Sequence, residues 1–277
     1  MPVFECASIT MSAQAVQTEL KSKITQQWRL TETTLATTPR NITSIFRTCG
    51  ILSARELEVT EVEDSTALLS TIHSKEWSAV EVVTSFCKRA ASAQQLVNPL
   101  VDITFDEGIQ RAKELDDCLQ SSGEVVGPLH GLLISFKDLT DVEGMKIATG
   151  FVSLANRTSD TDAVVVQSLR EAGAVVYCPV GRSLWDIELI LRVWNDFEPW
   201  LYDPVVVAKR WDPVPIPWKI VVGVMYWDEV FKHYYPTGGK MFKDFLTESG
   251  EPAIPSVAKI LDRATELSAP ELTQLYK

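Results

Sequence analysis

Basic residues are scarce in this sequence. Lys and Arg total 26 against 37 Asp and Glu, a formal net charge of −11 over 277 residues. Counterion release needs clustered cations, so nucleic acid and anionic membranes are excluded as expected partners. Long hydrophobic runs are missing too; none approaches the roughly 20 residues that a membrane span needs. "MPVFECASITMSAQAVQTELKSK" has no basic start followed by an apolar block, so no secretory signal is expected. The five cysteines, Cys6, Cys49, Cys87, Cys118 and Cys178, are odd in number, scattered, and form no C-x-x-C. They read as reduced thiols of a cytoplasmic protein. His73, His130 and His233 show no metal-ligand spacing, so neither a metal nor another cofactor is expected. Internal repeats and low-complexity tracts are absent.

What is there is an ordinary globular composition, 45% hydrophobic and 23% charged, in a chain long enough for a sizeable core. Residues 1–60 read as a polar, helical N-terminal region, broken at "ATTPRN" by turn residues and a proline. In "DSTALLSTIHSKE", Leu68, Leu69 and Ile72 share one helical face. Ser78 with Glu81 three residues on predicts a capping box, and Val82, Phe86 and Ala90 a buried stripe behind it. A further helix is predicted near Asp106–Leu119, with Ile109, Ala112, Leu115 and Leu119 inward. "GLLISF" does not alternate and suits a strand buried on both faces, Leu132–Phe136. "TDAVVVQSLREAGAVVYC" reads as helix, stop, strand. Asp160 or Thr161 is the expected cap, Val165, Val166, Leu169 and Ala172 form the stripe, and Gly173 is the left-handed stop. A strand Ala174–Tyr177 follows. Strand, helix and strand with tight turns imply a parallel sheet with helices on its faces. Beyond it lie a helix capped by Ser183, a proline-rich extended segment, a third strand Lys219–Met225, and a last helix before a weakly patterned tail. Trp194, Trp200, Trp211 and Trp218 read as packing anchors.

"GPLHGLLISFKD", ending on Lys137 and Asp138, resembles the amidase signature family, in particular its fungal acetamidase-like branch. "WSAVEVVTSFCKRAA", "FDEGIQRAKELDD", "GFVSLANR", "DAVVVQSLREAGAVVY", "GRSLWDIELILRV", "EPWLYDP" and "GGKMFKDFLTESGEP" continue the resemblance in order. It covers most of the chain from about Gly50. It implies hydrolysis of a small carboxamide by a Ser–cis-Ser–Lys triad, with an acyl-enzyme cleared by water. Lys137 stands at the position of the family's lysine. The resemblance implies that burial keeps its amine neutral and hence a base. The branch is common in fungal metabolism, including specialised-metabolite pathways.

Two family motifs do not follow. A Gly-Ser-Ser-rich loop would carry the bridging serine. A Gly-Gly-Ser turn would carry the nucleophile and its oxyanion donors. The single Gly-Gly pair, Gly238-Gly239, precedes Lys240. The text passes from "AGAVVY" almost directly to "CPVGRSLWDIE", segments that flank the catalytic serines in the family. The missing block therefore falls near residues 177–181, and the C-terminus also stops earlier than a full-length relative would. Ser183 and Cys178, at this junction, are conceivable substitute nucleophiles. Ser183 is better explained as a helix cap and Cys178 as a core thiol. Asp138 reads as a partner for backbone donors, His130 as a loop or capping residue, and Ser135 as a satisfied core hydroxyl.

The sequence thus predicts an α/β fold with a mixed, mostly parallel sheet flanked by helices, a reduced amidase signature fold. Residues 61–277 form its partial domain. The single catalytic candidate is Lys137. Two functional readings stand side by side. One is an amidase-family hydrolase that is inactive or impaired. The other is a non-catalytic pseudo-amidase acting through a partner protein or as a homo-oligomer. A fragment from an incomplete gene model is the third explanation for the same text.

Overall fold

The computed structural model describes residues 7–39, 41–177, 193–202, 232 and 235–275. The expected strand Lys219–Met225, the helix from Ser183, and Cys178, Trp211 and Trp218 lie outside the described residues. The chain divides into two compact units. The larger comprises Gln17–Ile147 and Arg157–Trp211; the other comprises Met1–Val16, Ala148–Asn156 and Asp212–Lys277.

The first helix, α1 (Ala7–Ser22), has residues in both units, and the first part of the larger unit is filled by α2 (Glu32–Ala36), α3 (Ile45–Thr48), α4 (Ala54–Thr60), α5 (Ser65–His73), α6 (Ala79–Val97) and α7 (Phe105–Ser122). In α5, Leu68, Leu69 and Ile72 are buried, as their spacing predicts. Ser78 caps α6 by accepting from the Glu81 N–H at 3.0 Å. A second cap arrives from α7. The Asp116 carboxylate accepts from the N–H groups of Ala79 at 2.8 Å and Val80 at 2.9 Å. These are donors that a helix start leaves without intrahelical partners.

Two stripes differ from expectation. On α6 the fully buried residues include Val82, Val83, Cys87 and Ala91, while Phe86 and Ala90 are half-buried. The reason is that α6 packs against both α4 and α7, so its buried face is wider than one four-residue row. On α7, Gly108 is buried and Ile109 is half-exposed. A Cβ on Gly108 would lie 3.6 Å from Val175 and 3.8 Å from Val83, so the missing side chain lets α7 approach the sheet closely.

The described sheet is one parallel pair, β1 (Leu133–Ile134) and β2 (Val175–Val176), with α8 (Val164–Glu171) between them in sequence. Both strands are shorter than the apolar runs suggested. Their pairing nevertheless reaches beyond the strand residues. The N–H groups of Leu129 and Gly131 donate to the carbonyls of Ala172 and Gly173, and Val175 and Tyr177 donate to Leu132 and Ile134. Gly173 stops α8 with φ +93°, as predicted. The helix start was misplaced. Neither Asp160 nor Thr161 caps α8, which begins at Val164 after Ala163. Tertiary bonds hold residues 159–163 out of helical geometry. Ser159 Oγ donates to Asp141, the Ala163 N–H to the Asp141 carbonyl, and the Asp162 carboxylate accepts from the Glu143 N–H.

In the smaller unit, α9 (Lys240–Ser249), α10 (Pro255–Arg263) and α11 (Ala269–Leu275) follow one another. Phe151 packs against Phe242 and Phe245 of α9, and Glu251 accepts from the Val152 N–H at 3.0 Å.

Candidate functional site

Chemistry in an open α/β layer collects beyond the carboxyl ends of its parallel strands. Here β1 runs out through Ser135, Phe136 and Lys137, and β2 through Tyr177. All four line a cavity of about 640 Å³. Its walls are mostly apolar, with Leu100, Val142, Met145 and Ile147 among them. Two charged side chains at its edge are engaged elsewhere, while the buried Thr104 hydroxyl on its wall has no hydrogen-bond partner. Asp102 accepts from Lys23 Nζ at 2.5 Å and from the Lys146 N–H at 3.1 Å, and Lys146 Nζ meets Glu19 at 2.5 Å. Asp138 is likewise partnered.

Lys137 is placed where the sequence puts it, just past the end of β1. The turn is tight: its carbonyl accepts from the N–H groups of Leu139 and Thr140. Its side chain is not carried into the core. Lys137 is exposed, and its side chain makes no hydrogen bond or ion pair among the described residues. The expectation of a buried amine is corrected by this geometry. Desolvation requires walls on all sides, and the strand delivers Lys137 to the mouth of a cavity. Ser135 also differs from expectation, being half-buried on the cavity wall and not a core hydroxyl. Cys178 and Ser183 lie outside the described residues.

His130 has the local role its position suggested. It is fully buried, and its Nδ1 accepts from the Val126 N–H at 3.0 Å, closing the turn before β1. Sequence reading did not foresee its neighbour. His73, at the end of α5, packs edge-on against it with ring centroids 6.2 Å apart. The Nε2 atoms of both rings are buried without hydrogen-bond partners. Because His130 Nδ1 is an acceptor, its neutral ring carries the proton on Nε2. That tautomer has no Nε2 lone pair for a metal ion, so the pair is a structural contact. No local pattern links residues so far apart in sequence.

Burial pushes the pKa of each imidazole below its ordinary value. For His130, the nearby His73 and Arg111 act in the same direction and Asp116 opposes. Protonating His130 also puts a proton against the Val126 N–H. A folded-state pKa below the unfolded one means that the unfolded chain binds protons more readily. Stability is therefore complete above about pH 6.5 and declines as pH falls below it. The slope is at most about 1.4 kcal/mol per pH unit for each histidine. Urea unfolding between about pH 7.5 and about pH 5.5 is expected to show this loss. His130→Gln, which keeps an acceptor and does not titrate, is expected to flatten it. An equally steep slope in the variant would show that His130 does not contribute.

The geometry is a strand–helix–strand layer with a lysine just past the end of its first strand. Residues 81–183 match the family model described as Amidase. An amidase from Gibberella moniliformis is 42% identical over 160 residues, 56% of this chain and 30% of the relative. An acetamidase from Emericella nidulans is 43% identical over 128 residues, 46% of this chain and 23% of the relative. Over this span the chain is similar to the amidases. In fold it is similar to a fatty acid amide hydrolase, with TM-score 0.81 at 17% identity over 99% of this chain and 75% of that one. The chain spans less than a third of the length of the two curated relatives.

Proposed function

We propose that this chain is a non-hydrolytic member of the amidase family, a protein that retains the lysine-bearing layer without the machinery of acyl transfer. The observation that carries the reading is the pairing of two facts. By the resemblance of "GPLHGLLISFKD", Lys137 corresponds to the family's lysine, and the 277 residues contain neither a Gly-Ser-Ser nor a Gly-Gly-Ser motif. Amide hydrolysis by this route needs a nucleophile, a base that takes its proton, and donors for the oxyanion, all within reach of one carbonyl. An exposed lysine side chain does not by itself supply these, and among the described residues no serine hydroxyl is hydrogen-bonded to it. The reading includes the reducing cytoplasm as the place of action, supported by free Cys49, Cys87 and Cys118. It includes a second copy of the chain or a partner protein as what it binds.

The test is turnover. The purified 277-residue chain and its Lys137→Ala variant are expected to release ammonia from acetamide at the same background rate. Ammonia release that is above background and abolished by Lys137→Ala would overturn the proposal and direct the search for a nucleophile to Cys178 and Ser183.

A further inference from the structure

The cavity beyond the carboxyl ends of β1 and β2 is combined with one unbalanced charge. Its volume, about 640 Å³, falls in the range of small-molecule sites. Phe136, Val142, Met145, Ile147 and Leu100 give it an apolar interior. Two other charges on its wall are paired within the protein, Asp102 with Lys23 and Lys146 with Glu19. Asp138 is partnered as well. Lys137 alone is left exposed and without an ion-pair or hydrogen-bond partner among the described residues.

We propose that this cavity binds the anion of an apolar monocarboxylic acid, with its tail among the apolar walls and its carboxylate on Lys137 Nζ at the mouth. The chemistry selects the ligand. The apolar interior takes an alkyl or aryl tail, because burying such surface is favourable and needs no directional partner. One free ammonium balances one negative charge, and a charge-assisted N–H···O⁻ bond is stronger than a bond to a neutral amide oxygen. A phosphomonoester, carrying about −1.5 to −2 charges, would leave part of its charge unpaired against apolar walls. An alkylammonium ion would meet Lys137 as a like charge. The inference rests on the non-hydrolytic reading only in that the ligand is held and not turned over.

Isothermal titration of the full chain with decanoate, decanamide and decylammonium at about pH 7.5 tests this, since decanoate is an anion and decylammonium a cation there. Decanoate is expected to bind saturably, with decanamide at least about tenfold weaker and decylammonium weaker still. Lys137→Met is expected to lose about tenfold for decanoate and nothing for decanamide. Added salt is expected to weaken decanoate alone, because the lysine is exposed. Ala93→Phe, which fills the wall, is expected to abolish binding of both. Should that variant fail to melt cooperatively, Lys137→Met decides, being a surface change outside the core. Lys243→Met, on exposed α9, is the control and is expected to bind as the parent does. No saturable decanoate binding, equal affinity for all three compounds, or indifference to Lys137→Met would each overturn the proposal. Ammonia release from decanamide would sink the non-hydrolytic reading while leaving the binding result intact.

Discussion

Gly127→Ala is expected to destabilise the protein by about 3 kcal/mol or more, at an unchanged denaturant slope. A Cβ at residue 127 would stand 2.5 Å from the Ala172 carbonyl oxygen and 2.8 Å from its carbon. Both are backbone atoms held in the junction of α8 and β2, so no rotamer change relieves the clash. The same junction predicts a comparable loss for Gly173→Ala. There the added Cβ lies 2.9 Å from His130 Cα, and φ of +93° adds backbone strain. Gly123→Ala separates the two effects. Its φ is +75° but nothing lies within 4 Å of a Cβ, so strain alone remains, at about 1 kcal/mol. Urea midpoints of the three variants give the comparison. A Gly127→Ala midpoint equal to the parent's would show that the β1–β2 layer is looser than these distances require.

Leu115→Ala carries the second large effect, a loss of about 2–5 kcal/mol. Leu115 is fully buried on α7, and the α6–α7 contact is the most extensive between helices of the larger unit. Removing its branched end leaves a cavity bounded by helices that cannot close without moving the Asp116 cap on α6. Lys113→Ala, two residues away and exposed, is expected to stay within about 0.5 kcal/mol of the parent. Thermal and urea unfolding measure both. Similar midpoints for the two variants would mean that the α6–α7 interface does not limit stability.

The family site was legible to the extent that its motif is contiguous. "GLLISFKD" marks Lys137 because strand and lysine are written side by side. What surrounds the lysine is not written there. The cavity collects residues from α6, the 99–104 loop, both strand ends and the 140–147 loop, and no local spacing brings those together. Likewise the sequence contains both His73 and His130, yet only the packing of α5 under the turn before β1 makes them neighbours.

By itself the sequence determined the elements whose causes are local. The apolar spacing of α5, the Ser78 cap of α6, the Gly173 stop and the strand–helix–strand order each depend on residues within a few positions of one another. Backbone geometry and side-chain spacing act over that same range. Tertiary structure decided what depends on distant partners. The 141–163 hydrogen bonds delayed α8 to Val164, and contact with two helices widened the buried face of α6. Asp116 supplied α6 with a cap from another helix. Above all, the position of Lys137 was written in the sequence, whereas its exposure was not. Whether an amine is dry or wet depends on how many walls the fold closes around it, and here β1 delivers it to an open mouth.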